Sequence, residues 1–320
     1  MQLVDATTGA HLWAETYNRP FQADAIFDLQ DDLVPRIVST VADGNGVLTR
    51  SLGDALRSRG VSNLTPDDLV LGVWAFYNRI TAAEHAALRP IVERAVEQAK
   101  GYADLWALLA IIYSDEYRHG FNPRPDPLDR ALDAARRAVD LAPSSHFAHY
   151  ALASVLFFRR DLQAFRPIAE RAVALNPPDC SCVAYMGALM AFTGDWTRGI
   201  ALVERAIAIN PHHPGWCWMP LFHHAYLQRD YAAALAAIVK VNMPGYVHAQ
   251  VLLVAAHGQV GGEAAARDAL RELLLMDPDV ARTVRGQFDA WWFAEPDYVD
   301  HVMEGLRKGG LPVEAASGGA

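Results

Sequence analysis

The sequence RAVDLAP (137–143) recurs in altered form as RAVALNP (171–177) and RAIAINP (205–211), and this repeat decides the fold. The next two segments end in the more divergent KVNMP and LLLMDP. The closing prolines are spaced by 34, 34, 33 and 34 residues, at Pro143, Pro177, Pro211, Pro244 and Pro278. A period near 34 predicts stacked helical hairpins, because one hairpin of this length cannot bury its apolar face without neighbours.

The same period continues towards the N-terminus. RAVEQAK ends at Lys100 and aligns with RAVDLAP, and a further step of 34 residues reaches Pro66. The step from Lys100 to Pro143 is 43 residues, so nine extra residues are expected in YRHGFNPRPDP (117–127), a Pro/Gly-rich loop that tolerates insertion. The pattern predicts about six hairpins, starting after Pro66, Lys100, Pro143, Pro177, Pro211 and near Pro244.

Inside each unit the pattern resembles the tetratricopeptide repeat (TPR). Gly187, Ala206 and Pro211 lie where that family has small, small and proline residues. The turns between the two helices of a unit read RRDLQAF (159–165), TGDWTRGI (193–200), QRDYAAAL (228–235) and VGGEAAA (260–266). The resemblance covers roughly residues 65–280. It implies an all-α fold, a right-handed TPR-type α-solenoid of about six helical hairpins, with little indication of a ligand.

The first 45 residues do not follow the repeat. LVDATTGAHLWAETY (3–17) predicts a β-hairpin, and AIFDLQDDLVPRIVSTV (25–41) predicts a helix. With the C-terminal WWF and DYVDHVMEGLRKGGLP, they resemble the end of the TolB-like module and the TPR array of bacterial class III adenylate cyclases and related transcription regulators. The matching N-terminal residues are DATTGAHLWAE (5–15), Tyr17, Arg19, IFDLQD (26–31) and RIV (36–38).

This resemblance implies that the chain is the C-terminal piece of a larger architecture, or the product of a gene that has lost its front part. In that family the catalytic or DNA-binding domain precedes the TolB-like module, so no cyclase activity carries over to these residues. The expected organisation is a TolB-like remnant of β-hairpin and helix (1–45), a linker or connecting helix (46–64), TPR-like repeats (65–280), C-terminal capping helices (281–312) and a disordered tail (313–320).

Composition narrows the class of protein. The chain has 28 Lys and Arg against 37 Asp and Glu, a formal net charge of −9, which argues against a nucleic-acid groove. MQLVDATTG lacks the apolar core of a signal peptide, and the longest apolar runs are about half of the ~20 residues that a membrane span needs. Three cysteines, Cys180, Cys182 and Cys217, do not form even pairs. We therefore expect a cytoplasmic protein without membrane or nucleic-acid contacts.

Twelve histidines suggest a metal or catalytic site, with His212-His213 and His223-His224 near one hairpin. Neither HExxH nor Cys-x2-Cys spacing occurs, however, so the histidines are predicted to be structural. The prediction is a non-enzyme with no catalytic residue, no metal and no cofactor. An enzyme or metal-binding protein with a His- and aromatic-lined cavity is the least favoured alternative.

In the TPR pattern, positions 2, 5, 9 and 12 of the first helix face the concave side. They hold several aromatic residues, which are typical anchors for a bound peptide or helix. The candidate groove residues are Phe147, Tyr150, Phe157, Trp216, Met219, His223, Tyr226 and His248. The alternative is that the superhelix closes tightly and these rings pack on one another or on the terminal helices.

The sequence thus predicts a non-catalytic protein-interaction or regulatory module of a cyclase-like signalling protein. Its partner would be a protein or peptide bound in the concave groove, or an N-terminal domain outside this chain. The alternative from another class is a homo-oligomerisation module, in which a homodimer forms through the groove or the terminal helices.

Overall fold

The computed structural model describes residues 1–6, 9–17, 26–42, 46–49, 65–77, 81–243 and 245–313. Two short strands, β1 (Gln2–Val4) and β2 (His11–Ala14), form an antiparallel hairpin. Helix α1 (Ile26–Ala42) follows. Pro244, most of the predicted linker (50–64) and the predicted tail after residue 313 lie outside the described residues.

The rest of the described chain is helical and arranged in pairs. Each pair is a hairpin whose first helix is here called helix A and whose second is called helix B. The six hairpins are α2 (Pro66–Tyr77) with α3 (Ala82–Gln98), α4 (Ala103–Arg118) with α5 (Pro127–Leu141), α6 (His146–Phe158) with α7 (Leu162–Leu175), α8 (Cys180–Phe192) with α9 (Trp196–Ile209), α10 (Met219–Leu227) with α11 (Tyr231–Val241), and α12 (Val247–Val260) with α13 (Glu263–Met276).

Two more helices, α14 (Val280–Trp291) and α15 (Tyr298–Lys308), follow the hairpins, and a short 3-10 helix (Gly215–Trp218) precedes α10. The predicted all-α solenoid of about six TPR-type hairpins is confirmed. Within the described residues no helix is both long enough and apolar enough to cross a lipid bilayer.

The aspartates at the predicted turns start the B helices. Asp161, Asp195 and Asp230 each accept a hydrogen bond from the backbone N–H three residues later. Thr81 caps α3 in the same way, and its hydroxyl also donates to the carboxylate of Glu84. These side chains satisfy helical N–H groups that have no partner within the helix, so the turns fix the register of each hairpin.

The A helices form the core. Every residue of α8 is buried, whereas α9 buries only one face, as expected for a helix between two neighbours and a helix facing solvent. A Cβ added to Gly187 would lie 2.8 Å from the carbonyl oxygen of Gly199. The two helices therefore approach too closely for a larger residue, which agrees with the small residue predicted at Gly187.

The long loop between α4 and α5 falls within the predicted insertion and is held by a buried carboxylate. Glu116 accepts hydrogen bonds from Arg89 (2.9 Å), Arg130 (2.5 Å) and the backbone N–H of Arg124 (3.0 Å). Burial alone would raise the pKa of Glu116, but the hydrogen bonds from Arg130 and Arg89 bring it below its usual value. Arg89 also donates to the carbonyl of Asn122, so the loop is fastened to α3.

Residues 280–313, here called the closing segment, end the solenoid. Helix α15 packs on α12, and glycines make the close approach possible. A Cβ on Gly258 would overlap the carbonyl oxygen of Gly305 and would lie 2.6 Å from the nitrogen of Gly309. Helix α14 turns inward and lies against the concave surface.

Candidate functional site: the concave surface and its N-terminal pocket

Seven of the eight predicted groove residues belong to two parts of the concave surface. The outer row consists of Phe147, Tyr150, Tyr185 and Trp216. The inner cluster consists of five residues of the hairpins, Phe157, Phe192, His223, Tyr226 and His248, together with the closing-segment residues that cover them. Met219 is half-buried beside Trp216 and packs against the core.

Phe293 is the centre of the inner cluster. Its ring centroid lies 4.7 Å from that of Phe192, 5.2 Å from His223 and 4.5 Å from Tyr298. His248 packs on Phe288 of α14 at 4.9 Å. These spacings are those of directly packed rings, so the closing segment fills this part of the groove.

The two tryptophans before Phe293 extend the contact towards the N-terminal hairpins. Trp292 packs edge-on against Phe157 with centroids 6.0 Å apart, and Trp291 packs against Phe158 at 5.5 Å. Trp291 also contacts His119, at the end of α4, at 6.0 Å. Helix α14 therefore bridges the inside of the superhelix from the last hairpin to the second.

The two histidines of the inner cluster, buried His223 and partly buried His248, pack on rings of the closing segment and are neutral. His223 Nδ1 and the hydroxyl of Tyr298 form a 2.5 Å hydrogen bond. Burial lowers the pKa of His223 well below its usual value and that of His248 to about 4. Among the described residues no group of three or more His, Cys, Asp or Glu side chains is arranged to hold a metal ion. A partner role for Phe157, His223, Tyr226 and His248 stays a prediction, and it requires the closing segment to move.

A buried ion pair connects the two parts of the surface. Arg118 is paired with Asp115 one turn earlier in α4, and its Nη1 donates to the hydroxyl of Tyr185 at 2.8 Å. The same guanidinium lies 5.9 Å from the ring centroid of Trp291. Sequence reasoning did not name Arg118 or Tyr185. The sequence signal for this pair is that Asp115 and Arg118 interrupt the apolar run of α4. Charged residues are rarely buried unless they are paired, so two opposite charges one turn apart in a buried helix indicate an ion pair.

The outer row is a chain of ring contacts across three hairpins. Phe147 stacks on Tyr150 at 6.1 Å, Tyr150 packs on Tyr185 at 5.2 Å, and Tyr185 meets Trp216 edge-on at 6.3 Å. Burial raises the pKa of Tyr150 well above its usual value, so its hydroxyl stays protonated. The row ends at Trp216, which is half-buried.

A pocket of about 190 Å³ lies beside Phe147 and Tyr150. It forms where α1 and α2 cross the N-terminal ends of α4, α6 and α8, and residues from all five helices contribute to its wall. Its lining residues are Val38, Ser39, Thr49, Val70, Leu71, Asp104, His146, Phe147, Tyr150, Asn176, Pro178, Asp179, Ser181 and Cys182.

The polar groups of this pocket are mostly acceptors. His146 Nε2 lies 2.9 Å from Asp179 Oδ2, and Ser145 donates to Asp104 at 3.2 Å. Ser39 of α1 donates to the carbonyl of Pro178 at 2.5 Å, which joins α1 to the repeats. The pocket thus combines an apolar wall with two carboxylates and several hydroxyls, an arrangement suited to hydrogen bonding with a small ligand.

The chain has a relative that matches half of its sequence. No family model matches the sequence. Over 162 residues, half of this chain, it is 32% identical to a protein named "Putative adenylate cyclase 3" from Rhizobium meliloti (strain 1021). The match spans 27% of that protein, so half of this chain corresponds to about a quarter of its relative.

Solved structures agree with the repeat pattern. The human IFIT1 dimer with m7Gppp-AAAA superimposes with a TM-score of 0.56 at 17% identity, over 75% of this chain and 57% of that one. The APC/C hetero-tetramer Cut9-Hcn1 gives 0.55 at 13% identity, over 88% and 51%. The protein has a TPR fold. One of these TPR-type neighbours binds capped RNA and the other a protein subunit, so the likeness establishes the architecture alone.

Proposed function

We propose that this chain is a non-catalytic protein-interaction or regulatory module of a cyclase-like signalling protein. The observation that carries the proposal is the 32% identity to the Rhizobium meliloti relative over half of a chain that folds as a TPR solenoid. Rigid solenoids present an extended concave surface, which is the usual binding surface of such folds. The partner is a protein segment rather than a nucleic acid, because the chain carries a net charge of −9.

The outer row is where a partner segment would bind. The closing segment already packs on the inner cluster, so a ligand there must displace Phe293 and its neighbours. Trp216 and Met219 are half-buried, and a helix or extended peptide can cover them without moving the closing segment. Tryptophan is one of the residue types most enriched among the residues that carry the binding energy of protein interfaces.

We also propose a cytoplasmic location and no bound cofactor. Cys180, Cys182 and Cys217 are buried as thiols, which fits a reducing compartment. The regulatory role would follow from the position of the module in the longer relative, where the partner is another part of the same protein or a separate signalling protein.

The test is a chimera. The region of the Rhizobium meliloti relative that matches this chain is replaced by this chain, and cyclic AMP formation is measured for the chimera and for this chain alone. We expect no product from the chain alone and activity close to that of the parent from the chimera. Trp216→Ala should change the activity of the chimera, whereas Trp218→Ala, which removes a half-buried tryptophan in contact with Lys240, should not.

Two outcomes count against the proposal. Cyclic AMP made by this chain alone would show that it is catalytic. Equal activity of the Trp216→Ala and Trp218→Ala chimeras would show that the outer row has no role in regulation. Circular dichroism of both variants separates these results from a loss of folding.

A second copy of the chain is the alternative partner. Val239 of α11 and Leu275 of α13 are 70% and 73% exposed, which is unusual for large apolar side chains on outward-facing B helices. Self-association through these helices predicts a dimer that dissociates on dilution and in Leu275→Lys. Light scattering coupled to size exclusion over a concentration series checks this, and a monomer throughout would rule the alternative out.

A further inference from the structure

We infer that the pocket between α1 and the repeats is a binding site for a small organic molecule with a protonated amine on an apolar body the size of one ring. The volume, the wall and the charges of the pocket select this ligand, whether or not the chain is an interaction module.

The volume sets the size of the ligand. At about 190 Å³ the pocket is smaller than the roughly 300–1,000 Å³ of sites for drug-sized molecules. It is somewhat larger than an engineered protein cavity of about 150 Å³ that holds one benzene molecule. A single six-membered ring with a short side arm therefore fits, and a nucleotide does not.

The wall favours an apolar or aromatic body with a positive charge. The wall includes the aliphatic side chains of Val38, Val70 and Leu71 and the rings of Phe147 and Tyr150. Aromatic faces attract cations as well as other rings, because the face of the ring carries partial negative charge. An amine next to Phe147 and Tyr150 gains from both interactions.

The charges of the lining also favour a cation. The described lining residues include two carboxylates, Asp104 and Asp179, and no Lys or Arg. Asp179 is compensated by His146 at 2.9 Å. Asp104 accepts a hydrogen bond from the neutral hydroxyl of Ser145 and forms no ion pair with any described residue. An ammonium group bound at Asp104 would supply the missing positive charge.

Helix N-termini surround the pocket, but they do not make it an anion site. One amide at the start of α6 and one at the start of α8 are already capped, since Ser145 accepts from the N–H of Ala148 at 3.2 Å and Asp179 accepts from the N–H of Cys182 at 2.8 Å. Fewer N–H groups are therefore available to an anion, which binds at a helix start through unoccupied N–H groups. The two aspartates also repel an anion at close range.

Because the pocket lies between α1 and the repeats, a bound ligand would contact both. Val38 and Ser39 belong to α1, whereas Phe147 and Cys182 belong to the third and fourth hairpins. A molecule bound between them would add contacts that hold α1 against the array. Ligand binding would therefore change how firmly the N-terminal segment is attached to the repeats.

Three probes of one shape test the charge requirement in the full chain: 2-phenylethylamine, the neutral 2-phenylethanol and the anionic phenylacetate. Binding is measured by titration calorimetry and by NMR shifts of the ligand. We expect the amine to bind about tenfold more tightly than the alcohol, and phenylacetate not to bind. Asp104→Asn should reduce the affinity for the amine about tenfold and leave that for the alcohol unchanged.

Two variants complete the experiment. Asp129→Asn removes a surface carboxylate that pairs with Arg159 and should leave amine binding unchanged. Leu71→Trp starts from a side chain that is 38% exposed and fills the pocket from its rim, so it should abolish binding of the amine and the alcohol while the melting temperature is kept. Equal binding of the three probes, no binding of the amine at about 10 mM, or full amine affinity in folded Asp104→Asn would each overturn the inference.

Discussion

The two ends of helix α6 illustrate how the concave surface is divided. Phe147 lies in its first turn and Phe157 in its last, and the repeat pattern assigns both to the same face. Phe157 is covered by Trp292 of the closing segment, whereas Phe147 belongs to the outer row and borders a pocket. Positions that the repeat pattern assigns to one face therefore acquire different roles according to what packs over them.

This difference predicts unequal costs of truncation. Phe157→Ala should lower the free energy of unfolding by about 4 kcal/mol, because the side chain is fully buried and its removal leaves a closed cavity. Phe147→Ala, in the same helix, should cost about 2 kcal/mol, because it only enlarges a pocket that is already open. Urea denaturation of both variants checks the order. Equal losses would mean that the two ends are packed alike.

A substitution at one glycine, Gly258, should disrupt the close packing of α15 against α12. Gly258→Ala should destabilise the protein by about 2 kcal/mol, because the new methyl group meets the backbone of Gly305 and Gly309. Gly286→Ala is the matched control, since nothing lies within 4 Å of its Cβ position in α14, and it should stabilise by about 0.5 kcal/mol. Thermal unfolding of both distinguishes a packed α15 from one that is loosely attached, for which Gly258→Ala would no longer be destabilising and Gly286→Ala would be unchanged.

His248 of the inner cluster predicts that the free energy of unfolding depends on pH. Burial lowers the pKa of His248 to about 4 in the folded protein, below its usual value of about 6.5. The unfolded chain therefore binds more protons below pH 6.5, so stability falls as the pH drops from 6.5 and this contribution levels off below pH 4. Between pH 7 and pH 5 His248 alone should account for about 2 kcal/mol.

His248→Phe keeps a ring against Phe288 and removes the proton site. Its unfolding free energy, measured in urea from pH 7 to pH 5, should fall by about 2 kcal/mol less than that of the wild type. Parallel curves for the two proteins would show that His248 is protonated in the folded state or has moved out of the cluster.

The smallest effect is expected at the end of the outer row. Trp216→Ala should reduce stability by about 1 kcal/mol, because the ring is half-buried and contacts Tyr185 only edge-on. Its larger effect should be on regulation in the chimera. A stability loss as large as that of Phe157→Ala would place Trp216 with the inner cluster and would remove it from the proposed partner surface.

Local signals explain why the fold was predictable. The prolines, the turn aspartates and the small residue at Gly187 each act within one hairpin, and their period reveals the stack. The return of Trp291 and Trp292 to the second and third hairpins is a long-range contact, and no local rule specifies it. The sequence therefore predicted closing helices but left open whether the rings of the groove were covered.

The pocket was harder to predict for a related reason. The repeat pattern predicts Phe147 and Tyr150 as groove residues, but it gives no sign that Asp104, His146 and Asp179 lie close together. They come together only because α1 and α2 lie across three helix N-termini. Arg118 was missed because its buried charge is paired within its own helix and with a tyrosine 67 residues away.

Helix α14 has a mechanical consequence. A solenoid of repeats behaves like a spring, because each hairpin contacts only its neighbours and the ends can fray one unit at a time. Here Trp291 ties the last hairpins to His119 of the second, and Arg160 of the third donates to the carbonyl of Asp289. If the superhelix is pulled from its ends, these two contacts must break before the repeats can separate. The repeats between the contacts would then unfold together, in a single step of the force–extension curve.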